Sequence, residues 1–596
     1  DLHTGQPVMT PFDAVLEHDG RQPPRVPGPG LVRFPAVTPG DYRLILFTVD
    51  QVRPGPIPVV VPAGQPTFEI KTTLDPDELP LKISGRCPGD SSCPDGGDST
   101  LYVGYGVRDI TPEIESFTDS NKNGVWDDGE PYVDKNGNGK FDAYWMAGYG
   151  NGRLAYGVHD SMWARAIAWK QNQTVVVLVS VDALGLFRDE TPEIEKLIDP
   201  RLGVDLLMVH ATHLHQAPDL VGGWGPDNFN SGINRTYQQR VRKLIAEAAS
   251  EAVMAIKPSR VTMNSVLVQD AGGDMHRYVG DSRDPVVINP RLHTMQFMDL
   301  STTPPRPIAT LVNWAHHPEG AGSSNHLITS DFVHYLRKEL ETAGSGPVVY
   351  VSGALGGQIG PGKVVAIDDK GNEYKSGSFE KVEWIGKGVA AFAKTSMADP
   401  AAVTVEGKSA KLSYRTTSFP AQVANRLYHL ALQLKIYQRS VCCYDNTRAV
   451  DEDNLPSVET QVTYLQIGPA SIITNPGELL PELFIGGYGG EYAGKYTFID
   501  TKKPNAADVS KAPKPPYLID VMDGDPKLRM TWGLTHDFVG YIVPRYNWLL
   551  DEKKPYFAEA EGDHYEETNS IGPLAEPQVV GTMRQLVLDG RPNQPR

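Results

Sequence analysis

Three of the chain's fifteen histidines fall in one short stretch, HATHLHQAP (210–218), directly after the apolar run GVDLLMV. On a strand, His213 and His215 share a face and His210 takes the other, because side chains alternate with a period of two. Neutral imidazole is a good zinc ligand, and zinc sites draw their remaining ligands from distant parts of a chain. Four candidates stand elsewhere. His159 lies in GYGVHDSMWARAIAW, read here as the entrance to a helix carrying Arg165. His316 and His317 end a strand in VNWAHHPEG, and Glu478 sits in ITNPGELLPE, between a strand and a helix start. Singly, each reads as a capping group or as an imidazole bonded to a carbonyl. Together they put His and Glu at strand ends, the usual address of a site in an α/β domain, and point to a metal hydrolase. Trp224, in GGWGPDNF, offers an apolar wall for substrate or plain packing.

A second constellation is built from hard oxygen donors. DSNKNGVWDDGE (119–130) matches the calcium-loop pattern D-x-[DN]-x-[DN]-G-x5-E. Asp119, Asn121 and Asn123 supply oxygens, Val125 its carbonyl, Asp127 the ninth position and Glu130 the closing carboxylate, while Gly124 makes the turn. DKNGNGKFD repeats the opening with Asp134, Asn136, Asn138 and Asp142, but Trp145 stands where a closing glutamate belongs. One or two structural calcium ions are expected. The alternative is an Asn/Gly surface loop held by its own turns. The flanks do not read as EF-hand helices, so a sensor role is not expected.

The elements that must position these residues alternate. TVVVLVSVDALG, LLMVHATHLH, PIATLVNWAHHPE and GPVVYVSGALGG read as buried strands ending in polar or small loops. TPEIEKLI with Thr191 as cap, residues 237–256, SDFVHYLRKELETA and residues 424–439 read as helices. VETQVTYLQIGPASIITNPGELLPELF gives paired strands, a tight loop and a short helix. The fold class is therefore α/β, a large mixed domain over 98–596 with a calcium-loop insertion at 119–142. Residues 1–97 read as a small β-rich N-terminal domain, from YRLILFTVD, PIPVVVPAG, FEIKTTLD and LPLKISG between Pro/Gly turns; the alternative is an elaboration packed on the main domain.

Composition excludes some partners. The formal net charge is −17, which disfavours nucleic acid or an anionic membrane, and no run reaches transmembrane length. The chain opens at Asp1 with no Met and no apolar leader, as a processed secretory precursor or a trimmed chain would. Cys87 and Cys93 bracket a polar loop and read as a disulfide, with free thiols as the alternative. For the adjacent Cys442 and Cys443, a vicinal disulfide and buried thiols both stay open. This usage fits an oxidising compartment, secreted or periplasmic.

Ten blocks in order carry a resemblance: YVGYGVRDITP (102–112), MAGYG (146–150), GVHDSMWARAIAW (157–169), VLVSVDALGL (177–186), HATHLHQAPD (210–219), VNWAHHPEG (312–320), VYVSGALGGQIGP (349–361), NPGELLPE (475–482), GLTHDFVGYIVP (533–544) and HYEETNSIGP (564–573). Over about residues 101–590 the chain resembles the neutral/alkaline, non-lysosomal ceramidases, zinc amidases with an α/β catalytic domain. The family's C-terminal immunoglobulin-like domain has no counterpart among these blocks. The resemblance implies one zinc ion held by His159, His215, Glu478 and Tyr541, with Tyr565 steadying the oxyanion. His213 or His317 would then carry protons. The chain departs from the family at its G-D-x-S-P segment. Gln358 stands where the aspartate belongs and Gly360 where the nucleophilic serine belongs, leaving both as candidate substrate contacts.

The resulting expectation is a secreted zinc hydrolase that cleaves an acyl carbonyl bond with zinc-activated water. A ceramide-like amide is the first choice of substrate, an ester or lactone the next. The missing serine motivates a rival, a lipid- or glycan-binding protein that keeps the metal pocket without turnover. A calcium-stapled surface protein is the third reading. Oligomeric state is not encoded in any motif found.

Overall fold

The computed structural model describes residues 83–589 apart from 95, 271, 360–363, 369, 452–453 and 552–555, preceded by residue 37 and six strands between residues 13 and 61. Of the expected N-terminal strands, YRLILFTVD forms Gly40–Thr48 and PIPVVVPAG forms Ile57–Val61, paired antiparallel. FEIKTTLD and most of LPLKISG lie outside the described residues. Gly85–Cys87 is an edge strand of the large body, paired with Leu412–Gln422, so this part of the segment assigned to 1–97 packs with the main domain.

The large body has four layers. Its main sheet runs Leu206–Ala211, Thr174–Val181, Trp163–Gln171, Tyr102–Asp109, Lys257–Leu267, Arg291–Asp299, Arg306–Trp314, Val348–Ser352, with Val403–Glu406 also on Lys257–Leu267. Both end pairs are parallel and the interior is antiparallel, a mixed sheet. A second sheet, Arg529–Trp532, Ala470–Thr474, Ser457–Ile467, Leu412–Gln422, Gly85–Cys87, packs on one face. Alternation sorts the core. Val176 and Leu178 meet Leu465, Ile472 and Trp532 of the second sheet, while Val175, Val177 and Val179 meet the helix Arg235–Met254. Burial on both faces explains the unbroken apolar run TVVVLVSV. The helices Phe332–Thr342 and Phe379–Ala398 cover the other half of that face, and Ala575–Leu588 covers the second sheet.

Three bonds draw the two ends of the main sheet together. Ser180 Oγ donates to Tyr350 O at 2.6 Å, Arg165 to Val348 O at 2.8 Å, and Ser352 N–H to His210 Nε2 at 3.2 Å. The loops leaving Ala211, Trp314 and Ser352 therefore open into the same space.

Several elements depart from expectation. WARAIAW is a strand, Trp163–Gln171, since pairing on both sides overrides the helix propensity of its alanines. Helix 424–439 shortens to Arg426–Gln433, ending before Lys435 with its positive φ of 58°. The TPEIEKLI helix starts at Glu190, with Asp189 rather than Thr191 at the cap position. Both cysteine pairs are disulfides, and Cys442 and Cys443 are half-buried and exposed, which excludes the buried-thiol reading.

Residues 111–146 contain no helix, as expected for a stapled loop. Their two calcium-type loops repeat one bonding scheme. Asp119 Oδ2 accepts from Gly124 N–H at 2.9 Å and Asp134 Oδ2 from Gly139 N–H at 2.8 Å. Trp126 stacks on Phe141 between them, and Tyr156 Oη donates to Gly124 O at 2.7 Å, tying the insertion to the body.

Strand Tyr102–Asp109 lies so close to the helix Arg235–Met254 that a methyl on Gly104 or Gly106 would overlap Ala252 O or Ala248 O. Because backbone cannot move aside as a flexible side chain can, Gly106→Ala should cost about 2–3 kcal/mol. Its thermal unfolding midpoint should fall clearly below that of Gly150→Ala, whose added methyl meets nothing within 4 Å.

Candidate metal centre

The strand bearing HATHLHQAP stops at Ala211, two residues before the histidine pair. Thr212 and His213 bond back to Val181 O and Ala183 O, and His213 takes a left-handed φ of 68°. His213 and His215 do converge, with Nε2 atoms 3.3 Å apart, but through this turn rather than through strand alternation. His210, still on the strand, donates from Nδ1 to Gly533 O at 2.7 Å and accepts at Nε2, supporting the fold as expected.

His317 completes the group: one ligand atom each from His213, His215 and His317 lies within 4.8 Å of the others, all three buried. Glu478 Oε2 lies 3.0 Å from His317 Nε2 and 3.3 Å from His213 Nε2. Tyr541 Oη is 3.4 Å from His317 Nε2 and 3.0 Å from Tyr565 Oη. A two-residue parallel bridge sets Glu478 beside Tyr541 and Leu479 beside Ile542. Tyr565 is anchored by its chain neighbours, since Glu566 and Glu567 are fully buried against Arg283 at 3.1 and 2.8 Å.

The tautomers follow from the partners. His213 Nδ1 donates to Leu184 O at 2.9 Å and His317 Nδ1 to Gln358 O at 3.2 Å. A carbonyl only accepts, so both Nδ1 atoms carry hydrogen and both Nε2 atoms present lone pairs inward. Lone pairs thus face a carboxylate and one another, an arrangement that calls for a cation or shared protons between them. Burial opposes charging His317, yet Glu478 beside it and Glu319 nearby raise its pKa. Burial works the other way on Glu478, whose carboxyl His213 and His317 nevertheless hold well below the usual carboxylate range. Burial, reinforced by His213 and His317, pushes His215 well below the usual histidine value. Tyr541 and Tyr565 are both pushed well above the usual phenol value, first by burial.

The donor set fits zinc. Bonds of 2.0–2.1 Å at tetrahedral angles place neighbouring ligand atoms about 3.3 Å apart. The contacts His213–His215, His213–Glu478 and His317–Glu478 measure 3.3, 3.3 and 3.0 Å. His215 Nδ1 is a buried nitrogen without an aligned hydrogen bond, facing Glu319 Oε2 at 3.3 Å.

The expected site residues do not all come together. His213 and His317, expected as proton carriers, supply two of the three converging nitrogens. His159, expected as a ligand, is not one of them. Its Nδ1 bonds Asp160 Oδ2 at 2.8 Å and its ring stacks on Phe379, with centroids 3.8 Å apart. His316 is held between backbone carbonyls of His317 and Tyr278. Gln358 is not free to meet substrate: its Oε1 accepts from Asn289 N–H at 3.1 Å and its Nε2 donates to Val287 O at 3.3 Å. Gly360 lies outside the described residues. Trp224 packs half-buried against the core that includes Tyr237 and Val241, its packing alternative. Glu319 and Tyr149 were not singled out in the sequence, although Glu319 stands only two residues after His317.

No protein-family model matches the chain, and no curated protein matches it. Solved structures do, among them the following two. The neutral ceramidase of Pseudomonas aeruginosa aligns at a TM-score of 0.55 and 14% identity, over 83% of this chain and 74% of that one. A structure described as ceramidase complexed with C2 aligns at a TM-score of 0.53 and 14% identity, over 82% and 74%. At such identity the likeness is one of fold, and the mixed α/β architecture is of the ceramidase type.

The site's backbone yields a test. Gly148 has a φ of +95°, and a methyl there would stand 2.7 Å from His215 Cβ, against the imidazole itself. Gly148→Ala should displace the ring and lower the zinc bound per chain, measured by metal analysis after equilibration with zinc. Gly150→Ala, two residues on, should bind zinc as the wild type does.

Proposed function

We propose that the protein is a zinc-dependent hydrolase acting on an acyl carbonyl, an N-acyl amide first and an ester or lactone next. The observation that carries this reading is the convergence of three imidazole nitrogens, two of them against Glu478 and with their Nδ1 atoms already committed to carbonyls. His213, His215, His317 and Glu478 would hold the metal, with Tyr541 at its edge. Zinc in such a shell polarises a carbonyl and brings the acidity of water towards neutrality. The hydroxyls of Tyr541 and Tyr565 lie 3.0 Å apart, and burial pushes both phenols well above their usual value. One hydrogen of the pair is spent between them, so the other is the donor proposed to steady a developing oxyanion. The ceramidase-type fold supports a lipid-like N-acyl substrate. Among the described residues no helix is long and apolar enough to cross a membrane. The two disulfides are in keeping with a secreted or periplasmic setting. The repeated Asp/Asn loops at 119–142 are proposed to take one or two structural calcium ions.

Metal analysis of the purified protein should find one equivalent of zinc. His213→Ala, His215→Ala, His317→Ala and Glu478→Ala should each lose it together with turnover of an amide, ester and lactone panel, whereas His159→Ala should keep it. Zinc lost from His159→Ala and kept by His213→Ala would reverse the ligand assignment. Tyr565→Phe should keep zinc and lose roughly 10²–10³-fold in kcat, the usual cost of one oxyanion donor. A zinc-loaded wild type that binds N-acyl compounds without hydrolysing any would favour the binding-protein reading. Removing calcium with a selective chelator should lower the thermal midpoint without releasing zinc; an unchanged midpoint would leave the loops held by their own turns.

A further inference from the structure

His215 is gripped by one tripeptide. Its backbone N–H donates to Pro318 O at 3.3 Å, and its Nδ1 faces Glu319 Oε2 at 3.3 Å. The preceding residue, His317, is itself a member of the histidine group. Glu319 is nearly buried, with 12% of its side chain exposed. Its backbone carbonyl accepts from Tyr149 Oη at 2.9 Å, and the Tyr149 ring stands edge-on to His215, centroids 5.1 Å apart. Arg153 lies over the Tyr149 ring and donates to His215 O at 3.2 Å. The loop, the ring and the imidazole therefore hold one another in place.

The three histidines differ in what stands behind them. His213 and His317 have neutral carbonyls at Nδ1, whereas His215 has a carboxylate. The terminal torsion of a glutamate is soft, so a turn of the Glu319 carboxylate can align it with Nδ1. A histidine that donates one ring N–H to a carboxylate has its tautomer and orientation fixed, and its other nitrogen becomes a stronger ligand.

Resting on the zinc reading above, we infer that Glu319 is a positioning residue that accepts the Nδ1–H of His215, fixes Nε2 as its metal-binding atom and so raises zinc affinity. The segment His317–Pro318–Glu319 then supplies one ligand and orients a second.

The test measures zinc dissociation constants by chelator competition for the wild type, Glu319→Gln and Glu319→Leu, together with thermal midpoints of the chelator-stripped proteins. Gln keeps an acceptor at the same reach and should bind within a few-fold of wild type. Leu removes it and should bind 10–100-fold more weakly, the usual cost of losing such a partner, with a stripped-protein midpoint close to wild type. Unchanged affinity in Leu would overturn the inference and leave the zinc reading intact. Equal losses in Gln and Leu would also overturn it, since charge or direct ligation would then be the cause. No zinc binding by the wild type would overturn the zinc reading and this inference with it.

Discussion

The loop that carries His213 and His215 is held by one buried carboxylate. Asp182, fully buried at the end of strand Thr174–Val181, receives Arg337 at 2.6 and 2.9 Å, Ser330 Oγ at 2.9 Å, Trp163 N–H at 3.0 Å and Thr212 Oγ1 at 3.3 Å. These partners come from the start of a neighbouring strand, from the residue just before His213, from the loop after Leu327–Ile328 and from the helix Phe332–Thr342. A buried ion pair is a weak source of net stability, because desolvation consumes most of its attraction. What it provides is geometry. Removing either partner leaves a charge uncompensated, so the four segments stay in register with one another.

The same device recurs at the other wall of the site. Arg283 holds Glu566 and Glu567, and Glu567 also accepts from Leu549 and Leu550 N–H, each at 2.8 Å. Tyr565 lies beside this knot and inherits its rigidity. Glu478 and Tyr541 share a two-residue bridge with no freedom to part. The inward groups thus have fixed supports: carbonyls behind two histidines, a carboxylate facing the third, and a buried cluster beside the tyrosine pair. A site of lone pairs facing lone pairs is costly to assemble, and such supports bear that cost before any ligand arrives.

What the sequence made legible follows from what periodicity encodes. Strands buried on both faces announced themselves, as in TVVVLVSV, and so did the long amphipathic helix observed at Arg235–Met254. The residue pool of the site was legible too: His213, His215, His317, Glu478, Tyr541 and Tyr565 were all named. How they come together was not, because this rests on turns. The left-handed φ at His213 and the bridge between residues 478 and 541 leave no periodic trace. WARAIAW misled for the opposite reason. Its alanines suit a helix locally, and only the two partner strands make it a strand.

The different surroundings of His159 and His317 have a physical reading. His159 is committed on one side to Asp160, which is itself tied to Thr329 and to Ser330 N–H, and on the other to the Phe379 ring. Bringing it to Glu478 would require giving up both contacts. His317 needs no such movement, since its loop leaves the strand end at Trp314, beside the loops that leave Ala211 and Ser352.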